Sequence, residues 1–121
     1  MTRFKGKAIV VNEWATWCPP CRAEMPSLNQ LYEELRDKNI AFVFVSKEEP
    51  TTVRQFIANN KYSIPVYVRK DELPLAFRSD GIPATFVLAP NGSMAFMHVG
   101  GAKWDTDKTK QFLVELASSD P

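Results

Sequence analysis

The chain has 121 residues, 15 Lys and Arg against 14 Asp and Glu, and a hydrophobic fraction of 45%. That size suits one compact domain with its own core, and a formal net charge of +1 argues against nucleic acid or an anionic membrane surface as the main partner. No stretch approaches the ~20 apolar residues that span a membrane, and two cysteines are too few for a disulfide-built scaffold.

Ala8 to Val11, soon after Gly6, is a continuous apolar run. It reads as a strand buried on both faces, in the middle of an α/β sheet. Met25, Leu28, Leu31, Tyr32 and Leu35 recur at helical spacing and predict a helix over residues 19–37. Pro26 falls inside it and should kink it, because it has no N–H to offer residue 22. IAFVFVS, residues 40–46, is a second buried strand. TTVRQFIANN follows as a helix with Val53, Phe56 and Ile57 on one face and Thr51 or Thr52 as its cap.

Ile64 to Val68 reads as a short strand with Pro65 near its start or on an edge. ELPLAFRSDG reads as a short helix ended by Gly81. ATFVLA and SMAFMHV flank Asn91-Gly92, and that turn chemistry predicts a hairpin. WDTDKTKQFLVELASS closes the chain as an amphipathic helix, begun by Asp105 or Thr106, with Phe112, Leu113 and Leu116 inward. The order βαβαβ(α)ββα, without repeat or linker, favours a mixed central sheet with helices on both faces.

Both cysteines lie in CPPC, residues 18–21. A loop that short removes little entropy from the unfolded chain, so stapling is a poor motive for it. Zinc or an iron–sulfur cluster needs further soft ligands, and the chain has no third cysteine and a single histidine, His98. At a strand-to-helix junction the free backbone N–H groups and the helix dipole face the Cys18 sulfur, lowering its pKa and making a nucleophilic thiolate. Cys21, one turn on and pointing inward, is placed to attack a mixed disulfide from within. Pro19 and Pro20 stiffen the ring and are tolerated in a first helical turn. An inert structural pair and a carboxylate-completed metal site are the competing readings, and no metal or cofactor is expected. Lys47, Glu48, Glu49 and Lys103 read as solvated loop charges, and Met94 and Met97 as packing residues.

VNEWATWCPPCRAEMPSL resembles the active-site segment of the thioredoxin superfamily, and within it the TlpA/ResA-like bacterial thiol–disulfide oxidoreductases. The agreement runs through Trp14, Ala15, Trp17, Cys18, Pro20, Cys21, Glu24 and Pro26, and GIPATFVLAPNG supplies a second landmark. The resemblance implies a three-layer thioredoxin-like α/β sandwich, a Trp17 that flanks the nucleophile, and a cis peptide before Pro83 whose loop lies against the cysteines. Trp17, Pro19, Pro20, Ile82 and Pro83 then form the expected docking surface for a client chain. It further implies client proteins with disulfides, apocytochromes c among them, a membrane-embedded or other thiol reductase as electron donor, and net reduction of the client. The domain is expected to be the soluble part of a longer exported or anchored protein facing the periplasm, with a cytoplasmic chain as the alternative. A non-catalytic binding or chaperone module with a structural disulfide is the second functional reading, and a metallochaperone the third.

Two glutamates need separate accounts. Glu24 lies three residues beyond Cys21 and shares its helical face. Burial there should raise its pKa and fit it to take the Cys21 proton, as the resemblance also implies. The competing reading is a surface carboxylate balancing Arg22 or Lys38. Strand parity sets Glu13 with Ile9 and Val11, on the face opposite Val10, Asn12 and Trp14. Asn12 stands where thioredoxins themselves carry a buried aspartate, whereas a carboxylate at Glu13 departs from the family pattern. Glu13 is expected to bond a polar group of a covering helix or loop near the sheet's end, Lys5 and Lys7 being the basic residues close to it in sequence. A second proton relay and simple exposure at a strand end are the alternatives.

Overall fold

The structure, a computed structural model, describes residues 4–119. Its elements are β1 (Ala8–Glu13), α1 (Pro19–Leu35), β2 (Ile40–Ser46), α2 (Pro50–Asn59), β3 (Val66–Val68), a 3-10 turn (Leu75–Phe77), β4 (Ala84–Leu88), β5 (Met94–Val99) and α3 (Asp107–Ala117). The strands form one sheet in the order β3-β2-β1-β4-β5. β1 pairs in parallel with β2, and β2 with β3, while β4 runs antiparallel to β1 and β5. The thioredoxin-like α/β fold is the one expected, and β1 runs two residues further than the apolar run alone suggests.

Each strand of the sheet's middle contributes alternately to two cores. Val10, Trp14, Phe42, Phe44 and Val87 pack with Met25, Leu28 and Leu31 of α1, Val53 of α2 and Leu113 of α3. The three α-helices therefore share one face. Ile9, Val11, Val43, Val45 and Phe86 form the other core, roofed by Phe4, Tyr67, Leu73 and Phe77 of the 3-10 turn. Helical structure flanks both faces, but unequally. A trough of about 1160 Å³ stays open beside that thinner roof.

Several local expectations change. The first residue of α2 is Pro50 and its cap is Glu49, so Thr51 and Thr52 sit inside the first turn. Proline is suited to that position because its missing N–H would have no helical partner. The helix expected up to Gly81 shrinks to Leu75–Phe77, and Arg78 is already extended, with φ −85° and ψ 140°. Pro74 stands just before that turn as its cap residue, with φ −51° and ψ 150°. Phe112 is 39% exposed and not inward; its ring meets Phe96 of β5 at 6.2 Å. Met94 and Met97, at 39% and 48%, also lie largely exposed on β5, an edge strand.

Other features fall where the sequence puts them. Pro26 lies inside α1. Pro65 directly precedes β3, which is the opposite edge of the sheet. The β4–β5 turn closes through Gly92 N–H to Ala89 O at 2.8 Å, with Gly92 at φ +90°, where a side chain would be strained. Thr106 caps α3, its hydroxyl accepting from Thr109 N–H at 3.2 Å.

Candidate active site

β1 delivers the chain to the edge of the helical layer, and Cys18 stops it there. Cys18 is the N-cap residue of α1, and its sulfur accepts the Cys21 N–H at 3.3 Å. Pro19 and Pro20 fill the first turn, where the absence of two N–H groups costs little. Cys18 and Cys21 form a disulfide with their Cα atoms 5.2 Å apart. Cys18 is 3% exposed and Cys21 fully buried, so what access there is belongs to Cys18.

Three neighbours frame that sulfur. Trp17, its neighbour in sequence, is 66% exposed. The Ile82–Pro83 peptide is cis, and the Ile82 carbonyl oxygen lies 3.9 Å from Cys18 Sγ. Pro83 O accepts from Gly100 N–H at 2.8 Å, tying this loop to the end of β5. One residue on, a Cβ on Gly101 would stand 3.4 Å from Pro20 O. The segment after β5 thus packs closely on the start of α1.

Behind the disulfide lies a polar group that is almost wholly buried. Glu24 is 3% exposed and Asn12 and Thr85 are 0% and 1% exposed. Glu24 Oε1 accepts from Trp104 Nε1 at 2.7 Å and from Ala102 N–H at 3.3 Å. Oε2 accepts from Asn12 Nδ2 at 3.0 Å, and the same nitrogen donates to Thr85 Oγ1 at 2.9 Å. Burial pushes the Glu24 carboxyl above the ordinary carboxylate range, while the bonds from Trp104, Asn12 and Ala102 and the charge of His98 pull it back. Glu24 is no surface partner of Arg22 or Lys38. Spacing from Cys21 locates Glu24 and the family landmark locates Asn12, but neither signal reaches Trp104, Ala102 or Thr85. His98 sits on β5 with its ring edge-on to Trp104, 5.7 Å between centroids.

Glu13 lies apart from this group, with Ile9 and Val11 on the other face of β1. Its Oε1 meets Arg69 Nη2 at 2.9 Å, and the two side chains are 16% and 12% exposed. Arg69 follows β3 and is fixed by its own N–H to Ser46 O at 2.9 Å. The partner is therefore a loop residue just past the sheet, not Lys5 or Lys7.

Glu48 is a correction. It reads in the sequence as a solvated charge, yet it is half-buried and holds the turn before the cysteines. Its carboxylate accepts the Thr16 N–H at 2.8 Å, the Thr16 hydroxyl at 2.5 Å and the Ser46 hydroxyl at 2.8 Å. Among the described residues, no cluster of three or more His, Cys, Asp or Glu side chains is arranged to hold a metal ion.

Comparison with known proteins agrees with this geometry. The AhpC/TSA family model matches residues 1–97. The chain is 34% identical over 119 residues to the thiol-disulfide oxidoreductase ResA of Oceanobacillus iheyensis, covering 97% of this chain and 61% of that protein. It is 35% identical over 99 residues to the thioredoxin-like protein YneN of Bacillus subtilis, covering 79% and 58%. Among solved structures, a thiol:disulfide interchange protein of the thioredoxin family from Chlorobium tepidum superposes with a TM-score of 0.81 at 31% identity, covering 93% and 83%. The chain spans about three-fifths of the length of the curated relatives it matches.

Proposed function

Because the chain belongs to the thioredoxin superfamily, among its TlpA/ResA-like thiol–disulfide oxidoreductases, we propose that this domain exchanges its Cys18–Cys21 pair with the disulfides of client proteins, with net reduction of the client. The observation that carries the reading is the pairing of a sulfur at a helix N-terminus with a buried carboxyl one turn behind its partner. An inert disulfide needs neither.

In the reduced protein the Cys18 thiolate, favoured by the helix N-terminus, attacks one sulfur of the client disulfide. A mixed disulfide forms and the first client thiolate leaves. Cys21 then gives its proton to Glu24 and attacks Cys18 Sγ, releasing the second client thiolate. Two electrons pass from the dithiol to the client, and Cys18–Cys21 ends as the disulfide. Return to the dithiol requires an external thiol reductase, which we place in the membrane. Trp17, Pro19, Pro20, Ile82 and Pro83 form the docking rim, where Ile82 offers backbone groups to an extended client segment. Asn12 steadies Glu24, and Glu13 has a structural role through Arg69.

The setting that best suits this chemistry is the periplasm, with residues 1–121 as a single domain of a longer exported or anchored protein and apocytochromes c among its clients. No helix of the described residues is long and apolar enough to cross a membrane. Turnover of a disulfide-bonded test peptide under a dithiothreitol couple tests the reading. Loss of turnover in Cys18→Ser supports it. Unchanged peptide reduction by Cys18→Ser, or a Cys18–Cys21 bond that resists dithiothreitol, leaves a structural disulfide in a binding module.

A further inference from the structure

Trp104 reaches the site from the loop between β5 and α3, outside both sequence landmarks. It is 7% exposed, and its indole N–H makes the shortest of the three hydrogen bonds to the Glu24 carboxylate. We propose that Trp104 is a positioning residue for the exchange reaction: it holds Glu24 so that the carboxyl takes up and returns its proton at Oε2 alone. The proposal rests on the reading of Glu24 as the base for Cys21.

The two carboxyl oxygens are not equivalent. Oε1 accepts two donors, Trp104 Nε1 and Ala102 N, which occupy its lone pairs. Oε2 accepts one, from Asn12 Nδ2. An arriving proton therefore finds a free site on Oε2. Asn12 suits both states of that oxygen. Its Nδ2 donates to the carboxylate, and turned over, its Oδ1 accepts from the carboxyl. Oδ1 is buried without a hydrogen-bond partner, and the bond that turning gives up, Nδ2 to Thr85 Oγ1, is replaced when the Thr85 hydroxyl donates to Oδ1 instead. As Cys21 attacks Cys18 Sγ, one proton moves from Cys21 to Oε2, and no electrons pass through the indole.

An aromatic plug without an N–H would leave Glu24 in a harder position. Burial disfavours its charge, and the indole bond is the foremost of the influences that restore it. The charged and titratable neighbours are His98 of β5, Cys21 of α1, and Lys103 and Asp105, which line a cleft of about 760 Å³ onto which Glu24 opens. Lys108 of α3 lies at the small cavity beneath the indole.

Trp104→Phe keeps a buried ring and removes the donor. The Glu24 carboxyl is titrated by carbon-13 NMR in the oxidised protein and in W104F, and both again in a His98→Gln background so that the imidazole adds nothing to the curve. The expected result is a midpoint displaced to higher pH in W104F. Single-turnover resolution below that midpoint should fall about tenfold, equivalent to ~1.4 kcal/mol, and recover at higher pH. An unchanged midpoint in folded W104F overturns the proposal. In the wild-type protein the indole N–H resonance should move with the Glu24 midpoint, and an indole signal blind to it overturns the proposal even if W104F does not fold. Glu24→Gln separates the two claims: resolution at the wild-type rate and pH profile would sink the base assignment, whatever Trp104 does to the midpoint.

Discussion

Glu48 grips Thr16 twice, one carboxylate oxygen on its backbone N–H and the other on its hydroxyl. The turn that presents Trp17 and Cys18 is thereby anchored to the end of β2, whose Ser46 hydroxyl donates to the same carboxylate. Arg22 reinforces the turn from α1, its guanidinium donating to Thr16 O at 3.2 Å.

Glu48→Ala should therefore loosen the reacting turn from a distance. Bonds to a carboxylate are worth roughly 1.5–3 kcal/mol when both partners are held. For a half-buried group the expected loss is about 1–2 kcal/mol of stability, read from the denaturant midpoint. Attack by Cys18 on a test disulfide should slow as well. Full stability in Glu48→Ala would mean that the turn is held by its own backbone.

The two cysteines should separate cleanly in trapping experiments. Cys21→Ser leaves the outer sulfur to form a mixed disulfide that nothing resolves, so covalent client adducts should accumulate on Cys18. Cys18→Ser should trap none, because Cys21 is fully buried. Adducts found on Cys21 would reverse the roles.

Glu24 makes stability depend on pH. Its folded carboxyl is held above the unfolded reference of 4.5, so the folded chain binds the proton more tightly. Below the unfolded value both states are protonated, and that contribution is fully present. As pH rises through the raised folded value, the unfolded state has already ionised, and the contribution is lost. The oxidised protein should therefore become less stable with rising pH across that window. Glu24→Gln should flatten this part of the curve, read from urea midpoints at a series of pH values. A Glu24→Gln curve parallel to that of the wild type would assign the dependence to other groups.

The Glu13–Arg69 pair should matter to stability and not to chemistry. Arg69→Met leaves a largely buried carboxylate without its partner, and such removals cost up to about 3–5 kcal/mol when burial is complete. Partial exposure reduces the expected cost to ~1–3 kcal/mol. Turnover by the folded variant should be unchanged, as it should in Glu13→Gln. A slowed resolving step at unchanged stability would bring Glu13 into the reaction.

What could be read in the sequence followed from local rules. The dithiol at a βα junction, Glu24 on the face of Cys21 and Glu13 opposite Asn12 all rest on helical or strand periodicity, which acts over a few residues. The hairpin at Asn91-Gly92 rests on turn chemistry that is equally local. Glu48, Arg69 and Trp104 were out of reach for the opposite reason. Each comes from a loop, and each meets its partner across 32, 56 or 80 residues of chain. No period links such positions; the packing of the sheet brings them together. Phe112 marks a different limit, since its apolar character suits the core, yet the edge position of β5 leaves its contact with Phe96 open to water.

The opposed orientation of Asn12 and Glu13 has a consequence for how the protein can change. Neighbours in sequence, they belong to different hydrogen-bonded groups, one among the α-helices and one under the thinner roof of the sheet. β1 works as an insulating wall between them. Substitutions on its two sides share no partner, and their energetic effects should add with little interaction. The ion pair can be strengthened, weakened or replaced to suit temperature and salt while the hydrogen bonds around Glu24 stay as they are. Adaptation of the scaffold and adaptation of the reaction are then separate problems, solved by alternate residues of one strand.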